Sequence, residues 1–209
     1  MVVAIAFTLA ALGILLFAEQ RERAGLQRVS KVAASMGFLA TAWAAGALEH
    51  DFGRTMFAAL LACAVGDACL LSRARAWFLA GLVAFALGHL GYTLAFAERG
   101  LALGTAVPVG IALVLPAWVV WRVLGPHVPA DMRVPVLGYI GIITAMVACA
   151  WSCEGGDATW WIRVGATAFY ASDLSVARDT FVRRAFVNRM WGLPAYYGAQ
   201  LVLAVASGR

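Results

Sequence analysis

An all-α, polytopic membrane helix bundle of about eight transmembrane helices, with both termini outside the cytoplasm, is the fold this sequence predicts. Three observations predict it. Of 209 residues, 63% are hydrophobic and 13% charged, and the mean hydropathy is +0.84, whereas a soluble domain holds about 45–50% apolar and about 25% charged residues. The apolar residues gather in runs of about 20, the length at which a helix rising ~1.5 Å per residue crosses ~30 Å of hydrocarbon. The basic residues concentrate in alternate connections. A freely soluble enzyme is excluded on these grounds, and so is a disordered chain, which requires low hydrophobicity and high net charge.

The first span, Val2–Ala18, contains no charge. No basic residue precedes it and no small-residue cleavage pattern follows, so it reads as a span rather than a signal peptide. Arg21, Arg23 and Arg28 separate it from the second, Val29–Leu48, where the stretches Ala33-Ala34-Ser35 and Ala42-Trp43-Ala44-Ala45-Gly46 allow close backbone approach. Glu49, Asp51 and Arg54 divide this from the third span, Thr55–Ser72, and Arg73 and Arg75 lead into the fourth, Trp77–Ala97. Glu98 and Arg99 precede the fifth, Leu101–Leu124, in which Pro108 and Pro116 each remove a helix hydrogen bond and favour a kink. Arg133 introduces the sixth, Val134–Trp151, with Pro135 in its first turn. Glu154 and Asp157 precede the seventh, Ala158–Ala177, and a run of arginines from Arg178 to Arg189 precedes the eighth, Met190–Ala206. With connections this short, residues 1–209 read as a single integral membrane domain.

Charge then gives an orientation. The first, third, fifth and seventh connections and their helix ends hold Arg21, Arg23, Arg28, Lys31, Arg73, Arg75, Arg122, Arg133, Arg178, Arg183, Arg184 and Arg189, against Arg54, Arg99, Arg163 and Arg209 on the other side. Lys and Arg are retained in the cytoplasm, so the first set faces inward. In a bacterial cell the membrane concerned is the cytoplasmic (inner) one. The net charge of +5 is thus topological: it forms no continuous basic stripe, and nucleic acid is not an expected partner. Membrane lipid is, and Arg183-Arg184 could also attract anionic headgroups. Nothing in the pattern specifies an oligomeric state. Cys63, Cys69, Cys149 and Cys153 form no CxxC pair and read as free, buried side chains. His50 and His127 fall in connections and read as solvated.

Ionisable side chains within a membrane helix are costly, by ~2.5–3.5 kcal/mol on insertion scales, and usually mark a site. Asp67 lies in the third span, Asp173 in the seventh and His89 in the fourth. Each aspartate comes five residues before an arginine-bearing end, so the two share a depth roughly 8 Å inside the cytoplasmic boundary. Lys31 begins the second span on the same side, with Ser35 one turn deeper. His89 and Tyr92 share a face, as do Tyr196, Tyr197 and Gln200, and Ser172, Phe169 and Tyr170 flank Asp173. These residues could enclose one polar pocket open to the cytoplasmic side.

A carboxyl in low dielectric holds its proton more tightly, and a second carboxyl nearby strengthens the effect on one of the two. Such a pair supplies a general acid beside a general base, the arrangement that splits acetal-like C–O bonds through an oxocarbenium-like transition state. It could equally relay protons in a coupled transporter or a lipid-handling protein, and a lipid-sensing bundle would need no acid pair at all. The residues alone leave these readings open. No GxSxG elbow, HExxH, P-loop or Rossmann glycine pattern occurs, and no cofactor is implied. Asp67, Asp173 and His89 on three separate helices make a poor metal signature, so no metal is expected.

Four stretches, GDACLL (66–71), FLAGLVAFALGHLGYTLAF (78–96), RVGATAFYASDLSVA (163–177) and YYGAQ (196–200), resemble in order and spacing the YhhN family of integral membrane proteins, whose characterised members are lysoplasmalogenases. The resemblance covers nearly the whole chain. It implies hydrolysis of the vinyl ether bond of a lysophospholipid substrate, a lysoplasmalogen, giving a fatty aldehyde and glycerophosphocholine or glycerophosphoethanolamine. It implies Asp67 and Asp173 as the catalytic pair, with Lys31, His89, Tyr92, Tyr196 and Gln200 around the substrate; Ser172 and Tyr197, placed beside these by spacing and depth, are expected to join them. The family's second span usually starts Lys-Pro, whereas Val32 follows Lys31 here.

Overall fold

The computed structural model describes every residue except Arg73, Gly155 and Asp157, together with the side chain of Leu103. Arg73 and Asp157, used above in the charge alternation, therefore lie outside the described residues. The described residues form eight long helices: α1 (Val2–Gln20), α2 (Ala24–Ala44), α3 (Asp51–Cys69), α4 (Arg75–Glu98), α5 (Leu103–Leu124), α6 (Arg133–Ser152), α7 (Ala158–Ala177) and α8 (Phe186–Ala206). Among the described residues the only strand-like feature is one antiparallel bridge, Leu101 to Cys153, which ties the α4–α5 connection to the α6–α7 connection. The fold is the all-α membrane bundle expected.

Each helix coincides with an apolar run, and α7 has the expected bounds. α2 and α8 begin five and four residues earlier than hydropathy indicates, at Ala24 and Phe186. Apolarity marks only the hydrocarbon crossing, while intrahelical hydrogen bonding continues through the polar interface. α2 ends before Gly46, whose φ of +89° suits glycine. α3 begins with His50 as its cap: Gly53 N donates to His50 Nδ1 at 3.1 Å. His50 is thus a structural acceptor rather than a merely solvated residue.

α1, α3, α4, α5 and α6 are long and apolar enough to cross a membrane by length and composition. α2, α7 and α8 fall outside that measure because of the polar side chains they carry, and all three contribute to the site described below. The helices pack as the sequential pairs α1–α2, α3–α4, α5–α6 and α7–α8, and α8 also packs on α1, α2 and α3. α8 is accordingly the best-buried helix, whereas α5 presents Val107, Ile111, Val114, Leu115 and Trp118 outward. The main core runs through α1–α4 and α6–α8, and a smaller cluster of Leu124, Val128, Met132 and Val136 closes the α5–α6 end. All four cysteines are free, with Cys63, Cys69 and Cys153 buried and Cys149 half-buried.

Candidate active site

A cavity of about 1450 Å³ opens between the helices at the end where α1 meets α2 and α7 meets α8. Its two sides differ in chemistry. Trp77, Phe78, Leu82, Val120, Leu124, Val136 and Ile140, from α4, α5 and α6, make one side apolar, while Lys31, Asp67 and Tyr196, from α2, α3 and α8, make the other polar. Asp173, Ser172 and Tyr170 of α7 and Tyr139 of α6 complete the lining.

Asp67 is held by three donors from two other helices. Lys31 Nζ lies 3.3 Å from Oδ1, and Oδ2 accepts the hydroxyls of Ser35 and Tyr196, each at 2.7 Å. Sequence periodicity prepares this arrangement, because Lys31 and Ser35 are one turn apart on α2 and meet the same carboxylate. Behind Tyr196 the network continues. Gln200 Nε2 donates to the Tyr196 hydroxyl at 3.1 Å, and Tyr92 donates to Gln200 Oε1 at 2.7 Å. The Tyr197 hydroxyl donates to the Lys31 carbonyl at 3.3 Å, fixing the backbone from which the lysine extends.

Asp173 belongs to a second cluster. Its Oδ2 accepts the Tyr139 hydroxyl at 2.5 Å and lies 3.4 Å from His89 Nε2, which is itself 2.9 Å from the Tyr139 oxygen. Both bonds fall on Oδ2. The Asp173 side chain is 18% exposed against 4% for Asp67, so it is the more accessible acid. Phe169 stands between the clusters, fully buried, with its ring centroid 4.5 Å from His89 and 5.3 Å from Tyr196. It separates two polar networks that face one cavity.

The structure divides the expected site residues into two groups. Asp67, Asp173, Lys31, Ser172 and Tyr196 line the cavity, although the Ser172 hydroxyl is already bonded to the Phe169 carbonyl at 2.7 Å. His89, Tyr92, Tyr197 and Gln200 are fully buried behind the lining and act on it through the bonds above. Sequence reasoning missed Tyr139. The signal was its depth: it comes six residues after Arg133, close to the five that separate Asp173 from Arg178. Among the described residues, no three His, Cys, Asp or Glu side chains gather as a metal site would require.

The model of the YhhN family matches residues 26–207. The chain belongs to the YhhN family. The matched region takes in all eight helices except α1 and the first two residues of α2, and so includes every residue of both carboxylate clusters. Relatives of this YhhN-family chain include the Bos taurus protein named lysoplasmalogenase TMEM86A, 30% identical over 77% of this chain and 68% of the relative. The Homo sapiens protein named lysoplasmalogenase TMEM86B is 36% identical over 72% of this chain and 62% of its own. The Mus musculus protein of that name is 34% identical over the same shares. The chain thus spans about 62–68% of the length of these relatives. No solved structure matches it.

Proposed function

We propose that this chain is a lysoplasmalogenase, hydrolysing the vinyl ether bond of a lysoplasmalogen to a fatty aldehyde and glycerophosphocholine or glycerophosphoethanolamine. The observation that carries the reading is that Asp67 and Asp173, from helices four apart in sequence, line one cavity with a polar and an apolar side. An amphipathic lysolipid fits such a cavity: the alkenyl chain lies against α4, α5 and α6, and the ether oxygen meets the carboxylates. The names of the relatives supply the bond that is cleaved.

The two environments suggest a division of labour. Asp67, surrounded by a cation and two hydroxyl donors, is held in a fixed orientation at the cavity, placed to stabilise positive charge that develops on the substrate. Asp173, the more accessible of the two from the cavity, is placed to meet the vinyl ether as the proton donor. In the proposed sequence, protonated Asp173 delivers its proton to the outer vinyl carbon, and the C=C electron pair forms that C–H bond. The resulting oxocarbenium is stabilised by the Asp67 carboxylate, which also orients a water. Water adds to the carbon bonded to oxygen, its released proton goes to the Asp173 carboxylate, and a hemiacetal results. Collapse breaks the C–O bond to glycerol, forms the aldehyde carbonyl and transfers the hydroxyl proton to the departing glycerol oxygen. Both aspartates end as they began.

The test is aldehyde release from choline and ethanolamine lysoplasmalogens by detergent-purified protein. Asp67→Asn and Asp173→Asn are each expected to lower kcat by about 100-fold or more, the usual contribution of a positioned acid or base. Full activity in both variants, or no aldehyde from folded wild type across both headgroups and a range of pH, overturns the assignment.

A further inference from the structure

The cavity mouth carries more positive charge than the carboxylate chemistry uses. Arg28, Arg75, Arg183, Arg184 and Arg189 all line it. Arg75 pairs with Asp131, and Arg189 with both Glu19 and Asp179. Arg28, Arg183 and Arg184 are exposed and have no carboxylate partner among the described residues. Retention of basic residues in the cytoplasm accounts for arginines at this end of the bundle, but it does not require them at the cavity. Arg21, Arg23, Arg122, Arg133 and Arg178 sit at the same end and do not line it.

Two of the three unpaired arginines also extend from a braced backbone. The α7–α8 connection opens with a π-helical turn, Arg178–Val182. Beyond it, Asp179 Oδ1 accepts Ala185 N at 3.0 Å and Asn188 Nδ2 at 3.3 Å, and Asn188 Nδ2 also donates to the Arg183 carbonyl at 2.7 Å. Arg189 locks Asp179 from the other side at 3.0 Å. Lys31, the remaining cation on the lining, is committed to Asp67.

Depth relates this ring to the reaction. Along the sequence Asp173 is five residues from Arg178 and Asp67 six from Arg73, roughly 8–9 Å of helix, which sets the depth of the carboxylates below the end of the bundle where Arg28, Arg183 and Arg184 line the mouth. In a lysoplasmalogen, seven bonds separate the outer vinyl carbon from phosphorus, also about 8 Å at the ~1.2 Å per bond of an extended chain. We propose that Arg28, Arg183 and Arg184 form the binding site for the substrate's headgroup phosphodiester, holding it one glycerol length from the aspartates. Guanidinium groups suit the task, since their forked donors match phosphate oxygens. The proposal rests on the lysoplasmalogenase reading for its substrate, while the anion site itself can be tested without hydrolysis.

Binding of ester-linked lysophosphatidylcholine, which has the phosphodiester but no vinyl ether, is measured calorimetrically in neutral detergent for wild type, Arg28→Gln and Arg183→Gln/Arg184→Gln. Arg21→Gln/Arg133→Gln serves as the control for charge at the same end. The arginine-site variants are expected to weaken binding at least about tenfold, and the control to leave it unchanged. In aldehyde assays the same variants should raise KM with kcat within about threefold, since they remove binding common to ground and transition states. A 1-alkenylglycerol lacking phosphate should be a correspondingly poorer substrate for wild type and equally poor for the variants. Equal losses in variants and control, unchanged lysolipid binding, or inorganic phosphate binding as tightly as the lysolipid would each overturn the headgroup site. Absence of aldehyde together with the tenfold difference in lysolipid binding would reject the hydrolase reading and retain the phosphodiester site.

Discussion

Lys31 is the chain's only lysine, and its environment makes a sharp energetic prediction. Its ammonium is 3.3 Å from Asp67 Oδ1, with side-chain exposures of 15% and 4%. Removing one member of a buried pair leaves an uncompensated charge, whereas replacing both relieves it. Lys31→Met is therefore expected to destabilise the protein by on the order of 3 kcal/mol, with part of that loss recovered in Lys31→Met/Asp67→Asn. Thermal unfolding in detergent of wild type, both single variants and the double variant measures the coupling, and simply additive losses would show that the pair is not energetically joined. Lys31, Ser35 and Asp67 were legible in the sequence because polar groups in an apolar run stand out and helical spacing aligns the first two. Tyr139 was not, because a lone tyrosine near the end of a span looks like any interfacial aromatic. Its role appears only where α4, α6 and α7 converge and bring His89 and Asp173 to its hydroxyl. Similarly, the sequence put His89, Tyr92, Tyr197 and Gln200 at the right depth but could not reveal that they stand behind the cavity rather than in it.

At the level of helices, all eight apolar runs became helices, and their ends were the least legible part. Which helices touch was also hidden: short connections imply the four sequential pairs, but nothing in the pattern announces that α8 packs on α1, α2 and α3 as well as α7. The α7–α8 contact bears directly on the site, since these helices carry Asp173 and Tyr196. At Gly192 a Cβ would come within 1.7 Å of Ser175 Oγ and 2.5 Å of Ser175 Cβ. The hydroxyl could rotate away, but the Cβ moves only with its helix. Gly192→Ala is thus expected to spread α7 from α8, costing about 1–3 kcal/mol in stability and lowering activity by displacing the two carboxylate clusters relative to each other. Gly198, on the same helix, has nothing within 4 Å of its would-be Cβ, and Gly198→Ala should leave both properties near wild type. Melting temperature and aldehyde release measured side by side check the pair, and equal behaviour of the two variants would contradict the close-contact explanation.

For the whole molecule, the structure assigns the connections to two ends independently of any membrane. Ala102 N donates to the Ser152 carbonyl at 2.8 Å and Glu154 N to the Gly100 carbonyl at 3.0 Å, while Arg99 Nη1 donates to the Arg209 carbonyl at 2.7 Å. The α4–α5 connection, the α6–α7 connection and the C-terminus therefore share one end. The cavity opens at the other, where Arg189 joins Glu19 and Arg75 joins Asp131. Because this is also the arginine-rich end, retention of basic residues in the cytoplasm predicts a cytoplasmic mouth and a C-terminus on the opposite side. A reporter enzyme that is active only outside the cytoplasm should therefore function when fused after Arg209 and fail when inserted in the α7–α8 connection. The catalytic consequence is directional. Lysolipid supplied from outside should be cleaved readily by sealed inverted vesicles, whose cytoplasmic face is exposed, and in right-side-out vesicles only as fast as the lipid crosses the bilayer. The water-soluble glycerophospho product would leave on the arginine side while the aldehyde remains in the membrane. A cytoplasmic C-terminus, or faster cleavage by right-side-out vesicles, would reverse the orientation and with it the leaflet from which the substrate is drawn.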